Sequence, residues 1–237
     1  IAGVRRLVHI STSGTVAVSD DPDFRGTEDL ADPLQTIATW PYYRSKLFAE
    51  HVAREAADSE LEVIILNPSL LLGPGDDLLG ASTDCVRMYL DNSIPFPPPG
   101  GVSFVDVRDV AAAVELALDS GGRSGERYLL GPGNQTFFEF YSCLARITGR
   151  NGPMAALPRK TGTLLRLLPG LGKEKGLGVG ATLSREQLDL ACHYWYVDDS
   201  KARENLDWTP RDPIRTLEDT VFDIQSRRRS ASERYRV

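Results

Sequence analysis

Cysteine is scarce: Cys85, Cys143 and Cys192 are the only three in 237 residues, far apart and without a C-x-x-C pair. That excludes a disulfide framework and a thiolate metal ribbon, and it suits a reducing, cytoplasmic setting. Histidine is almost as rare, and His9, His51 and His193 have no cysteine or carboxylate at ligand spacing, so no metal site is expected. No apolar run approaches the roughly 20 residues that cross a bilayer. The longest, residues 63–72, is interrupted by Asn67, Pro68 and Ser69, and a membrane partner is not expected. Positive charge is not in excess either: 27 basic against 33 acidic side chains leave −6, which argues against nucleic acid. No complete G-x-G-x-x-G occurs. Gly176, Gly178 and Gly180 alternate without a preceding strand, and Ala181 stands where the third glycine belongs. Repeats and low-complexity tracts are missing, which removes solenoids and arrays.

What is present reads as one globular body, 41% apolar and 25% charged. Residues 4–10 form a short β-branched run that ends in Ser11, Thr12, Ser13 and Gly14, a strand feeding a polar loop. A helix is predicted over residues 42–57, opened by Pro41, and a buried strand over 62–66. Further strands are predicted at 103–107 and 127–130, and helices at 108–118 and 137–149. The alternation predicts an α/β fold with a parallel sheet over residues 1–150. Residues 151–226 read as a small, mostly helical substrate-binding region, with helices near 164–168, 184–194, 200–202 and 214–225. Residues 227–237 read as a mobile basic tail.

The chemistry gathers at one pair. Tyr42 and Lys46 lie four apart, on one face of the predicted helix. An ammonium held near a phenol favours the phenolate and brings its pKa from about 10 toward neutrality, which equips a tyrosine to exchange a proton with a substrate oxygen. The spacing alone is weak. It gains weight from its order in the chain: Ser11 to Val16 as Ser-Thr-Ser-Gly-Thr-Val, then Tyr42-Tyr43-Arg44-Ser45-Lys46, then Asn67-Pro68-Ser69, Gly73-Pro74-Gly75, Val105-Asp106-Val107-Arg108-Asp109 and Asp199-Ser200-Lys201-Ala202.

This series resembles the extended short-chain dehydrogenase/reductases, the NAD-dependent epimerase/dehydratase superfamily. It is most similar to dihydroflavonol-reductase-like and 3β-hydroxysteroid-dehydrogenase-like members, over nearly the whole chain. The resemblance implies a Rossmann-type doubly wound sheet and NADP or NAD as cofactor. It assigns Tyr42 as general acid/base and Lys46 as the residue that binds the nicotinamide ribose and lowers the tyrosine pKa. Ser13 becomes the hydroxyl that holds the substrate carbonyl, and Pro68, Ser69 and Leu70 the segment lying against the nicotinamide. Ser11 and Thr12 compete for the serine role, and strand alternation places Thr12 on the opposite side. Asn67 either points into the substrate pocket or merely ends a strand, and Ser82 is a candidate for the cofactor phosphates. A homodimer through two helices is implied by analogy.

One departure matters. The family's glycine-rich turn and the residue that selects NAD or NADP are missing, so by that resemblance the chain starts at the family's fifth strand and keeps three adjacent parallel strands. Residues 4–10 are then an exposed apolar edge, cofactor affinity is expected to be poor, and the chain is expected to be part of a longer frame. The function implied is an NAD(P)-dependent oxidoreductase interconverting a ketone or aldehyde and an alcohol on a small, fairly apolar molecule. Pro95 to Pro99 and the leucine-rich 164–171 segment motivate the apolar substrate. A nucleotide-sugar epimerase or dehydratase, with Arg159, Lys160 and Arg166 for a diphosphate, is the alternative, and a catalytically silent module on the same fold the third.

Overall fold

A computed structural model describes residues 3–78, 80–91, 94–119, 121–158 and 185–234. The elements, in order, are β1 (Arg6–Ile10), a 3-10 turn (Ser13–Thr15), α1 (Leu34–Ile37), α2 (Pro41–Glu55), β2 (Glu62–Pro68), β3 (Leu70–Leu72), α3 (Ala81–Asp91), β4 (Gly101–Val102), β5 (Phe104–Asp106), α4 (Val107–Asp119), β6 (Arg127–Leu130), β7 (Gln135–Thr136), α5 (Phe137–Thr148), α6 (Arg185–Leu190), β8 (Tyr194–Trp195), α7 (Ser200–Leu206) and α8 (Pro213–Arg234).

The main sheet is three parallel strands in the order β1-β2-β6, with Ile10 beside Leu66 and Leu66 beside Tyr128. In β2 every residue after Glu62 is buried, the pattern of a central strand covered on both faces. Strand alternation sends Val63 and Ile65 toward Ala53 of α2, and Ile64 and Leu66 toward Val110, Ala113 and Ala117 of α4. α7 adds Ala202 and Leu206 to the second face, beside Trp208. At Pro68 the chain changes partners: Ser69 N–H still donates to the Leu130 carbonyl, whereas Leu70 N–H donates to that of Ser103, and β3 pairs with β5. A separate apolar core joins α3, α5 and α8 through Tyr89, Phe140, Leu144 and Leu217.

β1 is the edge of the main sheet and exposes Val4 just before it, Leu7 and Ile10, the apolar edge expected. Four differences from the sequence reading have local causes. β3 continues the chain beyond Pro68 as a strand because β5 offers a second ladder. The 184–194 helix stops at Leu190, and Tyr194–Trp195 pairs in parallel with Gly101–Val102. The stretch from Arg227, expected as a mobile tail, is the last part of α8 up to Arg234, tied by Arg227 Nε to Asp223 at 2.7 Å and Arg228 Nη1 to Asp91 at 2.7 Å. The C-terminal helix expected from 214 to 225 is therefore longer. The predicted helix near 164–168 and the glycine-rich 170–180 stretch lie outside the described residues.

Candidate active site

Ser13 opens a tight turn immediately after β1. Thr12 caps this turn, its hydroxyl accepting from Gly14 N–H. Ser13 is buried, and its hydroxyl makes no hydrogen bond among the described residues. The turn needs glycine next to Ser13 for space: a Cβ on Gly14 would lie 2.2 Å from Cε1 of Tyr43.

α2 starts at Pro41, whose missing N–H costs nothing in the first turn. Tyr42 follows, half exposed, with a phenol that bonds no other described residue. Burial pushes its pKa above the ordinary 10. Lys46 does not oppose this effect, because its ammonium donates 3.1 Å to the Ile10 carbonyl at the end of β1. The lysine-lowered phenol expected from the sequence is therefore not what this geometry shows. The same ammonium sits near His9, whose imidazole is held below 6.5 by burial and then by Lys46. Tyr43 and Trp195 stack with centroids 4.9 Å apart, and Trp40 meets Trp195 at 5.5 Å. This aromatic wall ties the first turn of α2 to β8, and Trp40 Nε1 adds a bond to Asp189 of α6 at 3.1 Å.

Pro68 ends β2, and Ser69 and Leu70 follow at the C-terminal end of the parallel strands, where ligands collect in open α/β sheets. Their N–H groups are committed to Leu130 and Ser103. The Ser69 and Ser11 hydroxyls, by contrast, are buried and find no partner among the described residues. Asn67 turns its amide nitrogen into the protein, while its Oδ1 is buried without a partner among the described residues. It is fully buried, and its amide donates to the Thr12 carbonyl at 3.1 Å, Thr15 Oγ1 at 3.0 Å and Glu50 Oε2 at 2.9 Å. Ser82 is not placed at a free helix end. Gly80 N–H and the Thr83 hydroxyl already bond the Asp76 carboxylate there, which puts negative charge where a phosphate would sit. Arg159, Lys160 and Arg166 lie outside the described residues.

Two site-supporting residues escaped the sequence reading. Glu50, one turn beyond Lys46, is fully buried, and Arg127 of β6 faces it at 3.3 Å. The available signal was Glu50 in the Tyr42, Lys46 series at intervals of four. Among the described residues no group of three or more His, Cys, Asp or Glu could hold a metal, and no helix is long and apolar enough to cross a membrane.

A parallel α/β sheet with hydroxyls beyond its strand ends that bond no other described residue, flanked by a Tyr-x-x-x-Lys helix, is the arrangement of a Rossmann-type protein. The chain belongs to the NAD-dependent epimerase/dehydratase family, whose profile it matches over residues 1–131, as the motif series implied. It is similar to a putative dihydroflavonol 4-reductase of Synechocystis, 29% identical over 95% of this chain and 66% of that protein. It is also similar to sterol demethylase protein B of Methylococcus capsulatus, 33% identical over 66% of this chain and 47% of that protein. The chain thus spans about two thirds of the first curated relative and about half of the second. Among solved structures, a nucleoside-diphosphate-sugar epimerase from Pseudomonas aeruginosa superposes with a TM-score of 0.72 at 21% identity, over 94% of this chain and 67% of that one.

The family's cofactor is NAD or NADP. The residues present fit its nicotinamide end in chemistry: the Ser11 and Ser69 hydroxyls are buried without a partner among the described residues, and the Lys46 ammonium stands at the end of β1. The described residues show no comparable cradle for phosphates.

Proposed function

We propose that this chain carries the proton-transfer and substrate side of an NAD(P)-dependent oxidoreductase that interconverts a ketone or aldehyde and an alcohol on a small, fairly apolar molecule. The observation that carries this reading is that the hydroxyls of Ser13, in the turn after β1, and Tyr42, in the first turn of α2, bond no other described residue, while Lys46 reaches back to the Ile10 carbonyl at the end of β1. Bound NAD(P)H supplies the hydride. Negative charge then grows on the substrate oxygen, where the Ser13 hydroxyl donates a hydrogen bond and Tyr42 delivers its proton. Lys46 binds the ribose, and Pro68, Ser69 and Leu70 line the nicotinamide. The names of two curated relatives, a putative dihydroflavonol 4-reductase and a sterol demethylase protein B, support an apolar substrate. Phe48 and Val52, exposed on the outer face of α2, support pairing with a second copy.

The test is Tyr42→Phe in an assay that follows NAD(P)H oxidation with a panel of apolar ketones and aldehydes. Turnover is expected to fall by roughly 100-fold or more, with cofactor binding and unfolding midpoint preserved, since the lost hydroxyl bonds no other described residue. Unchanged turnover would refute the role and favour a silent module. Epimerisation of nucleotide sugars with no carbonyl reduction would favour the second reading, which the family match and the epimerase-like fold keep in view.

A further inference from the structure

Below the proposed site lies a buried polar hub. Glu50 is fully buried on α2, eight residues after Tyr42 and four after Lys46, so the three share one helix face. Its Oε2 accepts from the Thr15 hydroxyl at 3.0 Å and from the Asn67 amide at 2.9 Å, and its Oε1 faces Arg127 Nη1 at 3.3 Å. Thr15 ends the turn that Ser13 begins. Asn67 in turn donates to the Thr12 carbonyl at the start of that turn. Arg127 is also buried, and it is spent on the Glu28 and Leu30 carbonyls and on Asp32. One carboxylate therefore connects α2, the Ser13 turn, β2 and β6.

A buried ion pair contributes little net stability, because desolvation offsets most of the attraction. An apolar pair of similar volume would fill the same space between α2 and the sheet. What an apolar pair lacks is direction: a carboxylate with several fixed donors defines the distance and rotation between the elements that carry them.

We propose that Glu50 is a positioning residue, whose bonds to Thr15 and Asn67 hold the Ser13 turn in register with the helix face carrying Tyr42 and Lys46. This rests on the oxidoreductase reading for its catalytic consequence, but not for its structural one. Glu50 touches neither substrate nor cofactor. It acts on where Ser13 stands relative to Tyr42, and displacements of about an ångström at such a pair cost up to roughly 100-fold in rate.

The experiment compares the full chain with Glu50→Gln, Thr15→Val and Leu144→Ala. Leu144 is fully buried in the separate core among α3, α5 and α8, so its truncation destabilises without touching the site. Two readouts are taken. The first is kcat and KM with NADPH and a carbonyl substrate. The second, which needs no turnover, is hydrogen exchange at the amides of Thr15, Val16 and Ala17, whose bonds to Thr12 and Ser13 carbonyls define the turn. For Glu50→Gln, kcat is expected to fall roughly 10- to 100-fold with KM for NADPH nearly constant. The three amides are expected to exchange about tenfold faster, beyond any change in global stability. Thr15→Val keeps the shape and the Glu50–Arg127 pair but removes the hydroxyl's bonds to Glu50, to Asn67 and to the Thr12 carbonyl, so it should show the same pattern. Leu144→Ala should lower the unfolding midpoint and leave both readouts near wild type. If either site variant behaves like Leu144→Ala, or if the exchange of Thr15 to Ala17 does not change, the positioning role is wrong. Should the wild-type chain reduce no carbonyl at all, the oxidoreductase reading fails, and the exchange rates alone decide the role of Glu50.

Discussion

Gly14→Ala probes the tightest contact beside the proposed site. Gly14 has no positive φ, so its backbone accepts alanine and the entire effect is steric. The added methyl would lie 2.2 and 2.4 Å from the Tyr43 ring and 3.1 Å from Cζ3 of Trp195. To restore ordinary carbon contact near 3.5 Å, the ring or the turn must move by about 1.3 Å. Tyr43 has little room, being stacked on Trp195 and edge-on to Tyr42 at 5.1 Å, so its displacement carries Tyr42 with it. Overpacking of this kind costs about 1–3 kcal/mol, and the lost freedom of the unfolded glycine returns about 0.4–1 kcal/mol. The net, centred on about 1.3 kcal/mol, lowers the unfolding temperature by about 3–5 °C for a chain of this size. Circular dichroism melts and NAD(P)H oxidation rates measure the two consequences, and turnover should drop further than stability alone explains. Adding Tyr43→Leu makes room, so the double variant should recover about 1 kcal/mol relative to the sum of the single effects. A Gly14→Ala protein with wild-type melting and turnover, or strict additivity with Tyr43→Leu, would refute the steric argument.

Other predictions concern the scaffold. Thr136 caps α5 in a reciprocal box with Glu139, so Thr136→Ala should cost about 1 kcal/mol in urea unfolding; an unchanged midpoint would show that the cap is idle. Acid should weaken the fold through His9. Its folded pKa lies below 6.5, so its contribution is full above pH 6.5 and is lost as pH falls from there through the folded value. The urea midpoint should therefore decline between pH 7.5 and 5.5 more steeply in wild type than in His9→Gln, and equal slopes would count against it. Asp32 and Asp106 act at lower pH. Burial raises each, but Arg127 with His51, and Arg108, outweigh it, so their stabilisation is present above 3.8 and lost as pH falls through the depressed values. Glu28 works in the opposite sense: burial raises its pKa, and its contribution is present below 4.5 and lost as pH rises through the folded value.

The sequence by itself determined the α/β class, the strands expected at residues 4–10, 62–66 and 127–130, which the structure gives as Arg6–Ile10, Glu62–Pro68 and Arg127–Leu130, the helices that cover them and the family. These were legible because they rest on local signals: apolar periodicity, Pro41 at a helix start, Gly149 in the left-handed conformation at the end of α5, and motifs a few residues long. Tyr42, Lys46 and Ser13 were named for the same reason. Tertiary structure alone decided what surrounds them. That Asn67 turns inward, that Glu50 meets Arg127 across seventy-seven residues of chain, and that Lys46 reaches the Ile10 carbonyl all depend on which strand ends up beside which. The short strands β3, β4, β7 and β8 carry almost no periodicity and exist only because a partner ladder is within reach. A pKa follows the same logic. The spacing of Tyr42 and Lys46 suggests a lowered phenol, whereas burial pushes it above 10, and burial is not written in the order of the residues.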